Sequence, residues 1–189
     1  KDICEVIQHF RLHSIAITAD VRMMYRQIIL SPQDRCYQHI FWRSSETEPL
    51  GEYQLQTVTY GMKPSPFLAQ RVLMQLTIDE GQKYPLASQV IRDACYMDDI
   101  CCSVDDIHQA VQLRNELTSM LSLGGFELRK WASNCSDALE GLPEDHCSSL
   151  LQFRTEATSS LHILGLQWNP DSDTFTYMLE VPSDTNTKR

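Results

Sequence analysis

A chain of 189 residues, 42% of them hydrophobic, is long enough to bury one core and suggests one domain or a little more. Its formal charge of −9 argues against a strong stand-alone grip on nucleic acid, because phosphate contacts need Lys and Arg. It holds no apolar run of about eighteen residues and no basic-then-apolar leader, which sets aside a membrane partner and makes an intracellular setting the default. The cysteines (Cys4, Cys36, Cys95, Cys101, Cys102, Cys135, Cys147) are odd in number, scattered and without a CxxC pair, so they read as reduced thiols, with neither zinc nor disulfides. The chain does not open on Met and runs out from Ser183 to Arg189 without a closing element, so both ends read as cut from something longer.

From His13 to Val21, Ile15, Ile17 and Ala19 alternate with Ala16, Thr18 and Asp20, the period of a strand with one face buried, and Asp20 closes it. Two further period-2 stretches, Tyr37 to Arg43 and Tyr53 to Tyr60, flank the polar link from Ser44 to Glu52 and read as a long hairpin, a second small sheet. Ser65-Pro66, a capping hydroxyl followed by Pro at the first helical position, opens a helix carrying Phe67, Leu68, Val72, Leu73 and Leu76 as far as Gly81. Val90 to Tyr96 and Ile100 to Val104 are short apolar runs pinched around Met97-Asp98-Asp99, which predicts a strand hairpin capped by an acidic pair. Asp105-Asp106 starts a second helix, with Ile107, Val111, Leu117 and Leu121 on one face, stopped by Gly124-Gly125 before a strand from Phe126 to Trp131. After a polar linker from Ser133 to Ser160, Leu161 to Trp168 and Thr174 to Val181 read as strands around the turn from Asn169 to Asp173. Without the inserted hairpin the order is strand, helix, strand, strand, helix, strand. That is an α+β fold, the ferredoxin-like split βαβ pattern of a four-stranded antiparallel sheet covered by helices on one face.

The first and third strands of that pattern are central neighbours, so Asp20 and the Asp98-Asp99 turn converge on the open face. Three carboxylates at close range repel one another by about 4 kcal/mol per pair at about 4 Å and an effective dielectric near 20, unless cations lie between them. Hard oxygen donors suit Mg²⁺, and two such ions about 3.5 to 4 Å apart stabilise both the attacking and the leaving oxygen of an in-line phosphoryl displacement. Two plainer readings stay open at this point: Asp98-Asp99 as a solvated turn, and Asp20 as a cap for a helix from Arg22 onward. His9, His13, His39, His108, His146 and His162 show no spacing that suggests a hydrolytic triad.

Ile17-Thr18-Ala19-Asp20-Val21-Arg22-Met23-Met24-Tyr25-Arg26-Gln27-Ile28 resembles the first catalytic motif of reverse transcriptases, an Asp at a strand end with an aromatic residue five positions on. Thr57-Val58-Thr59-Tyr60-Gly61-Met62-Lys63-Pro64-Ser65-Pro66-Phe67-Leu68-Ala69 is similar to the second motif, and Tyr96-Met97-Asp98-Asp99 matches the YxDD box of retroviral and retroelement polymerases. Gly124-Gly125-Phe126-Glu127-Leu128-Arg129-Lys130-Trp131-Ala132-Ser133-Asn134 resembles the corresponding segment of BEL/Pao-type elements, and Ile163-Leu164-Gly165-Leu166 resembles the short Leu-Gly strand that follows it. Order and intervals agree over most of residues 13 to 168, so the chain is similar to the palm core of a reverse transcriptase from a BEL/Pao-type LTR retrotransposon.

The resemblance implies a polymerase palm over about 13–35 and 61–132, a partial fingers hairpin at about 36–60 and a primer-grip-like hairpin at about 160–181, with the upstream fingers strands and the thumb lying outside the chain. It implies Asp20 and Asp98 as ligands of two Mg²⁺ ions, with Mn²⁺ as a substitute, Asp99 completing the cluster and the Val21 carbonyl as a further ligand. Tyr25 would exclude a ribose 2′-OH, core packing being the alternative. Tyr60 and Gly61 would line the nucleotide and template pocket, where retroviral members carry Gln in place of Tyr60, and Tyr96 and Met97 would border the substrate. Lys130 would donate a proton to departing pyrophosphate, a solvated charge being the alternative. Leu164-Gly165 would position the primer end. The implied reaction is RNA-directed addition of deoxynucleotides to a primer 3′-OH. The partners would be an RNA template, a DNA primer, their RNA–DNA hybrid, dNTP, and the protease, RNase H and integrase parts of a polyprotein, in a cytoplasmic virus-like particle or the nucleus. Two rivals stay open: a decayed or domesticated remnant that only binds nucleic acid, and a carboxylate nuclease, which would not depend on added nucleotides.

Overall fold

A computed structural model describes residues 2–148 and 161–176. Helix α1 (Ile3–Phe10), unassigned by periodicity, is capped by Asp2, whose side chain accepts a hydrogen bond from the Cys4 amide, and it buries Val6 and Phe10 one turn apart. Strand β1 (Ile15–Val21) follows, then the single turn α2 (Met24–Gln27). β2 (His39–Trp42) and β3 (Gly51–Gln54) pair as a hairpin from His39–Gln54 to Trp42–Gly51. The second strand is shorter than the expected run to Tyr60, because beyond Gln54 the chain leaves the ribbon and bridges Ile29 through Thr57.

Helix α3 (Ser65–Glu80) starts where expected but for another reason. The Ser65 hydroxyl is buried and donates to the Thr59 carbonyl, so it ties down the preceding loop instead of capping the helix. The run from Val90 to Tyr96 is not a strand. Pro85 opens helix α4 (Pro85–Asp93), which buries Ala87, Ser88 and Ile91, and only β4 (Cys95–Tyr96) is extended. A short apolar run does not distinguish strand from helix, and Pro85 at the first turn is what marks this one as helical.

β5 (Asp99–Val104) leads into α5 (Ile107–Leu123), whose N-cap Asp106 accepts from the Gln109 amide. Gly125, at φ +76°, ends it. β6 (Leu128–Ser133) begins two residues later than expected, since the Phe126 amide still bonds back to the Leu121 carbonyl. The described part of the linker forms 3₁₀ turns at Ser136–Leu139 and Glu144–His146. The expected strand from Leu161 to Trp168 is split by a turn at Leu164-Gly165 into β7 (Leu161–Ile163) and β8 (Leu166–Asn169), and β9 (Thr174–Thr176) completes a small sheet. Residues 149–160 and 177–189, including the expected continuation to Val181, lie outside the described residues.

The fold is mixed, with antiparallel sheets. The main sheet runs β4-β5-β1-β6, so β1 and β5 are central neighbours. Helices α3, α4 and α5 cover one face through Ile17, Ala19, Val21, Ile100 and Trp131 against Leu73, Ile91, Leu113 and Leu117. The other face was expected to be open, and half of it is not. Val6 and Phe10 of α1, with Ile163 and Trp168 of the small sheet, pack on Ala16, Cys101 and Ala132. β1 is therefore buried on both faces, where its alternation suggested one. Among the described residues no helix is long and apolar enough to cross a membrane.

Arg114, 8% exposed, donates from Nη1 to the carbonyls of Ala138 (2.9 Å) and Glu140 (2.7 Å), tying α5 to the turn below β6. Arg114→Met leaves two carbonyls without their charged donor. It should lower stability by about 2–3 kcal/mol, read as a lower urea midpoint at unchanged m.

Candidate active site

The antiparallel register sets Asp20 opposite Asp99, and the Val21 amide donates to the Asp98 carbonyl at 2.8 Å. By strand parity Asp20 shares a face with Ala16, and Asp99 shares it with Cys101, so both stand on the face that α1 covers farther along. The turn between β4 and β5 is tight, with Met97 at φ +56°, the Cys95 thiol donating to the Met97 carbonyl (3.3 Å) and the Gln70 amide reaching Met97 Sδ (3.4 Å). The uncovered end of the sheet holds a cleft of about 250 Å³ lined by Thr18, Asp20, Asp99, Cys101, Lys130 and His162.

Lys130 enters this cleft through a β-bulge. Asp20 pairs with Arg129 and Thr18 with Ala132, so Lys130 and Trp131 together oppose the single residue Ala19, and Lys130 sits at φ +53°. Trp131 goes to the helix-covered core, while the Lys130 ammonium donates to Asp20 Oδ2 at 3.0 Å. Left-handed backbone at a non-glycine residue costs about 1–2 kcal/mol. An exposed ion pair contributes only about 0.2–1 kcal/mol, and the Lys130 side chain is 69% exposed. The ion pair alone therefore does not offset the backbone cost, and the burial of Trp131 by the same bulge supplies the rest.

Burial, then the charges of Asp98 and Asp20, push the Asp99 carboxyl up to about 6. The hydrogen bond to Asp20 first, and then the carboxylates of Asp20, Asp99 and Asp98, hold the Lys130 ammonium above its ordinary value. Burial and then Asp98 raise the Tyr25 phenol. One ammonium thus faces three carboxylates, and hard oxygen donors with excess negative charge fit a divalent cation. Among the described residues no three His, Cys, Asp or Glu side chains converge as a metal-holding group, and Asp20 is turned to Lys130.

Asp99 also predicts a pH effect. Its folded value lies about two units above the ordinary carboxylate value of 3.8, so the folded state holds the proton more tightly, and the stability this gives is lost as pH rises through about 6. Asp99→Asn should therefore raise the metal-free melting temperature at pH 7.5, by at most about 3 kcal/mol of stability, and have little effect near pH 4. Melting curves at the two pH values check this.

The remaining expected residues are spread around the cleft. Tyr25 is half-buried and meets exposed Tyr60 edge to face, centroids 4.8 Å apart at 85°. Gly61 needs its lack of a side chain for φ +80°, with open space where a Cβ would stand. Tyr96 and Leu164 pack on the second core cluster, and Leu164-Gly165 forms the turn between β7 and β8. That turn reaches the carboxylates only indirectly, through β7 and His162 at the cleft wall. Asp20 is not a helix cap, since α2 begins after Met23 without any side-chain cap. Sequence reasoning missed the ladder in which Glu127 accepts from Arg22 (2.7 Å) and Arg129 (2.6 Å) and Arg129 also pairs with Asp145 (2.7 Å). Alternating charges at Glu127 and Arg129 in a strand were its one signal. Burial raises the Cys101 thiol at the cleft and pushes that of Cys102, in the helix-covered core, up to about 12, so both cysteines are poor nucleophiles.

The family model for reverse transcriptase (RNA-dependent DNA polymerase) matches residues 3–167, a span that includes every element from α1 to the turn before Trp168. The chain belongs to the reverse transcriptase family, whose activity is RNA-directed DNA polymerisation, a nucleotidyl transfer that engages a template, a primer and dNTP. No curated protein matches the chain.

Proposed function

We propose that this chain is the palm, with part of the fingers, of a retrotransposon reverse transcriptase of the BEL/Pao type, extending a DNA primer on an RNA template by two-metal phosphoryl transfer. The observation that carries the reading is the β1–β5 register, which sets Asp20 against Asp99 and hangs Asp98 from the Val21 amide. Asp20, Asp98 and Asp99, with the Val21 carbonyl, would hold two Mg²⁺ or Mn²⁺ ions. When bound, such ions neutralise charge on the attacking and leaving oxygens of the transfer.

The chain's own residues do the rest. Tyr25, braced by Tyr60, presents a ring that would meet a ribose 2′-OH. Gly61 keeps the adjoining wall free of a side chain, and Tyr96 and Met97 hold the acidic turn beside the substrate. The Lys130 ammonium can supply a proton to departing pyrophosphate. The Leu164-Gly165 turn would seat the primer end, and the β2–β3 hairpin would belong to the fingers. The protease, RNase H and integrase of the same polyprotein would be its neighbours, in a virus-like particle or the nucleus.

The test is primer extension on an RNA template with Mg²⁺ or Mn²⁺, using this chain and a version joined to fingers and thumb segments. Extension that requires dNTP supports the reading. Nucleotide-independent cleavage would replace it with a nuclease, and a folded, joined protein that binds template but never extends would leave a binding remnant.

A further inference from the structure

Given the reading of Asp20 as a metal ligand, we propose that Lys130 is a place-holder for the cation: in the metal-free protein its ammonium occupies the Asp20 carboxylate, and a divalent ion must displace it to bind there. Three observations converge on this. The bulge at Lys130, with φ +53°, delivers the ammonium to Asp20 at 3.0 Å, in backbone that side-chain-bearing residues rarely adopt. The lysine side chain is 69% exposed while that of Asp20 is 21% exposed, so the pair opens by swinging a solvated stem, with no core contact to unpack. The other cations beside the site are committed elsewhere, Arg22 to Glu127 and Arg129 to Glu127 and Asp145. Among the described residues Lys130 is thus the cation paired with Asp20 beside Asp98 and Asp99.

A divalent ion carries twice the charge of the ammonium and takes several oxygen ligands at once, so it wins at sufficient concentration. Until then Lys130 holds Asp20 in place and raises the ion concentration at which the site fills. Once released, the ammonium remains at the mouth of the same cleft, free for a substrate phosphate.

The experiment is Mn²⁺ binding to the whole chain without nucleic acid or nucleotide, followed by the electron paramagnetic resonance signal of free Mn²⁺. Wild type is compared with Lys130→Met, Lys130→Gly, Lys130→Arg and Asp20→Asn. Lys130→Met keeps an unbranched stem like that of lysine, and Lys130→Gly adopts the positive φ without strain, so the two neutral variants control for any change in the bulge. Both neutral variants should bind Mn²⁺ about tenfold more tightly than wild type, the order expected on removing one competing charge beside the site. Lys130→Arg should bind like wild type, and Asp20→Asn should bind poorly whatever stands at 130. Unchanged or weaker affinity in the neutral variants, with binding still lost in Asp20→Asn, overturns the place-holder and leaves the metal-site reading standing. Absence of Mn²⁺ binding in every variant overturns both. Binding that shows only when the lysine charge is gone supports the place-holder in its strongest form.

Discussion

Asp98→Asn is expected to abolish RNA-templated primer extension, by at least about a thousandfold, while the protein keeps its far-ultraviolet circular dichroism. The amide matches the carboxylate in shape, so the tight turn, held by the Asp98 carbonyl on the Val21 amide and the Cys95 thiol on the Met97 carbonyl, does not depend on the change. What disappears is one full negative charge at the uncovered end of the sheet. Losing a single preorganised charge-stabilising donor slows acyl transfer by about 10²–10³, and an ionic ligand at a phosphoryl-transfer centre should count for at least that much. A second readout accompanies it. Asp98 is the largest charge holding the Asp99 carboxyl up, after burial itself, so in Asp98→Asn the Asp99 carboxyl should titrate lower. Retained extension in a variant with that titration shift would show that the carboxylate is present but not used, and would sink the catalytic assignment.

Trp168→Ala should be the most destabilising single truncation on the second face, by about 3–5 kcal/mol. The indole is fully buried, meets Phe10 edge to face at 5.0 Å, and donates from Nε1 to Asp173 Oδ1 at 3.0 Å. Asp173 in turn accepts from Arg11 at the end of α1 and from Asn134 after β6, so one carboxylate joins three parts of the chain through this tryptophan. Trp168→Phe keeps the ring contact and loses the donor, and should fall between the two. Urea unfolding separates the cases. A change under about 1 kcal/mol for Trp168→Ala would mean that the small sheet does not pack on the main one in solution. The effect should reach the cleft, because β7, which lines it, is held to the sheet through Ile163 and Trp168.

Local signals determined much of this protein. Asp106 before Ile107 and Gly125 after Leu123 mark α5 because capping and left-handed backbone are chemistry of single residues. The alternation in β1 and the Asp98-Asp99 pinch are local as well, and with the motif spacing they were enough to nominate Asp20, Asp98 and Asp99 as neighbours. Val90 to Tyr96 defeated the same reasoning, because a short apolar run fits a helix face and a strand equally well, and Pro85 decides between them.

Other features had no local signal. The sequence of β1 alternates as if one face were wet, yet both are buried, because α1 from one end of the chain and β7–β9 from the other meet over Ala16, Cys101 and Ala132. That Lys130 reaches Asp20 depends on a register shift across 110 residues, where two residues of β6 oppose one of β1. Periodicity records which side chains prefer to leave water. Which distant segment covers them, and in what register, is settled by the packing of the whole chain, so only the tertiary structure could show Asp20 and Asp99 sharing their cleft with a lysine.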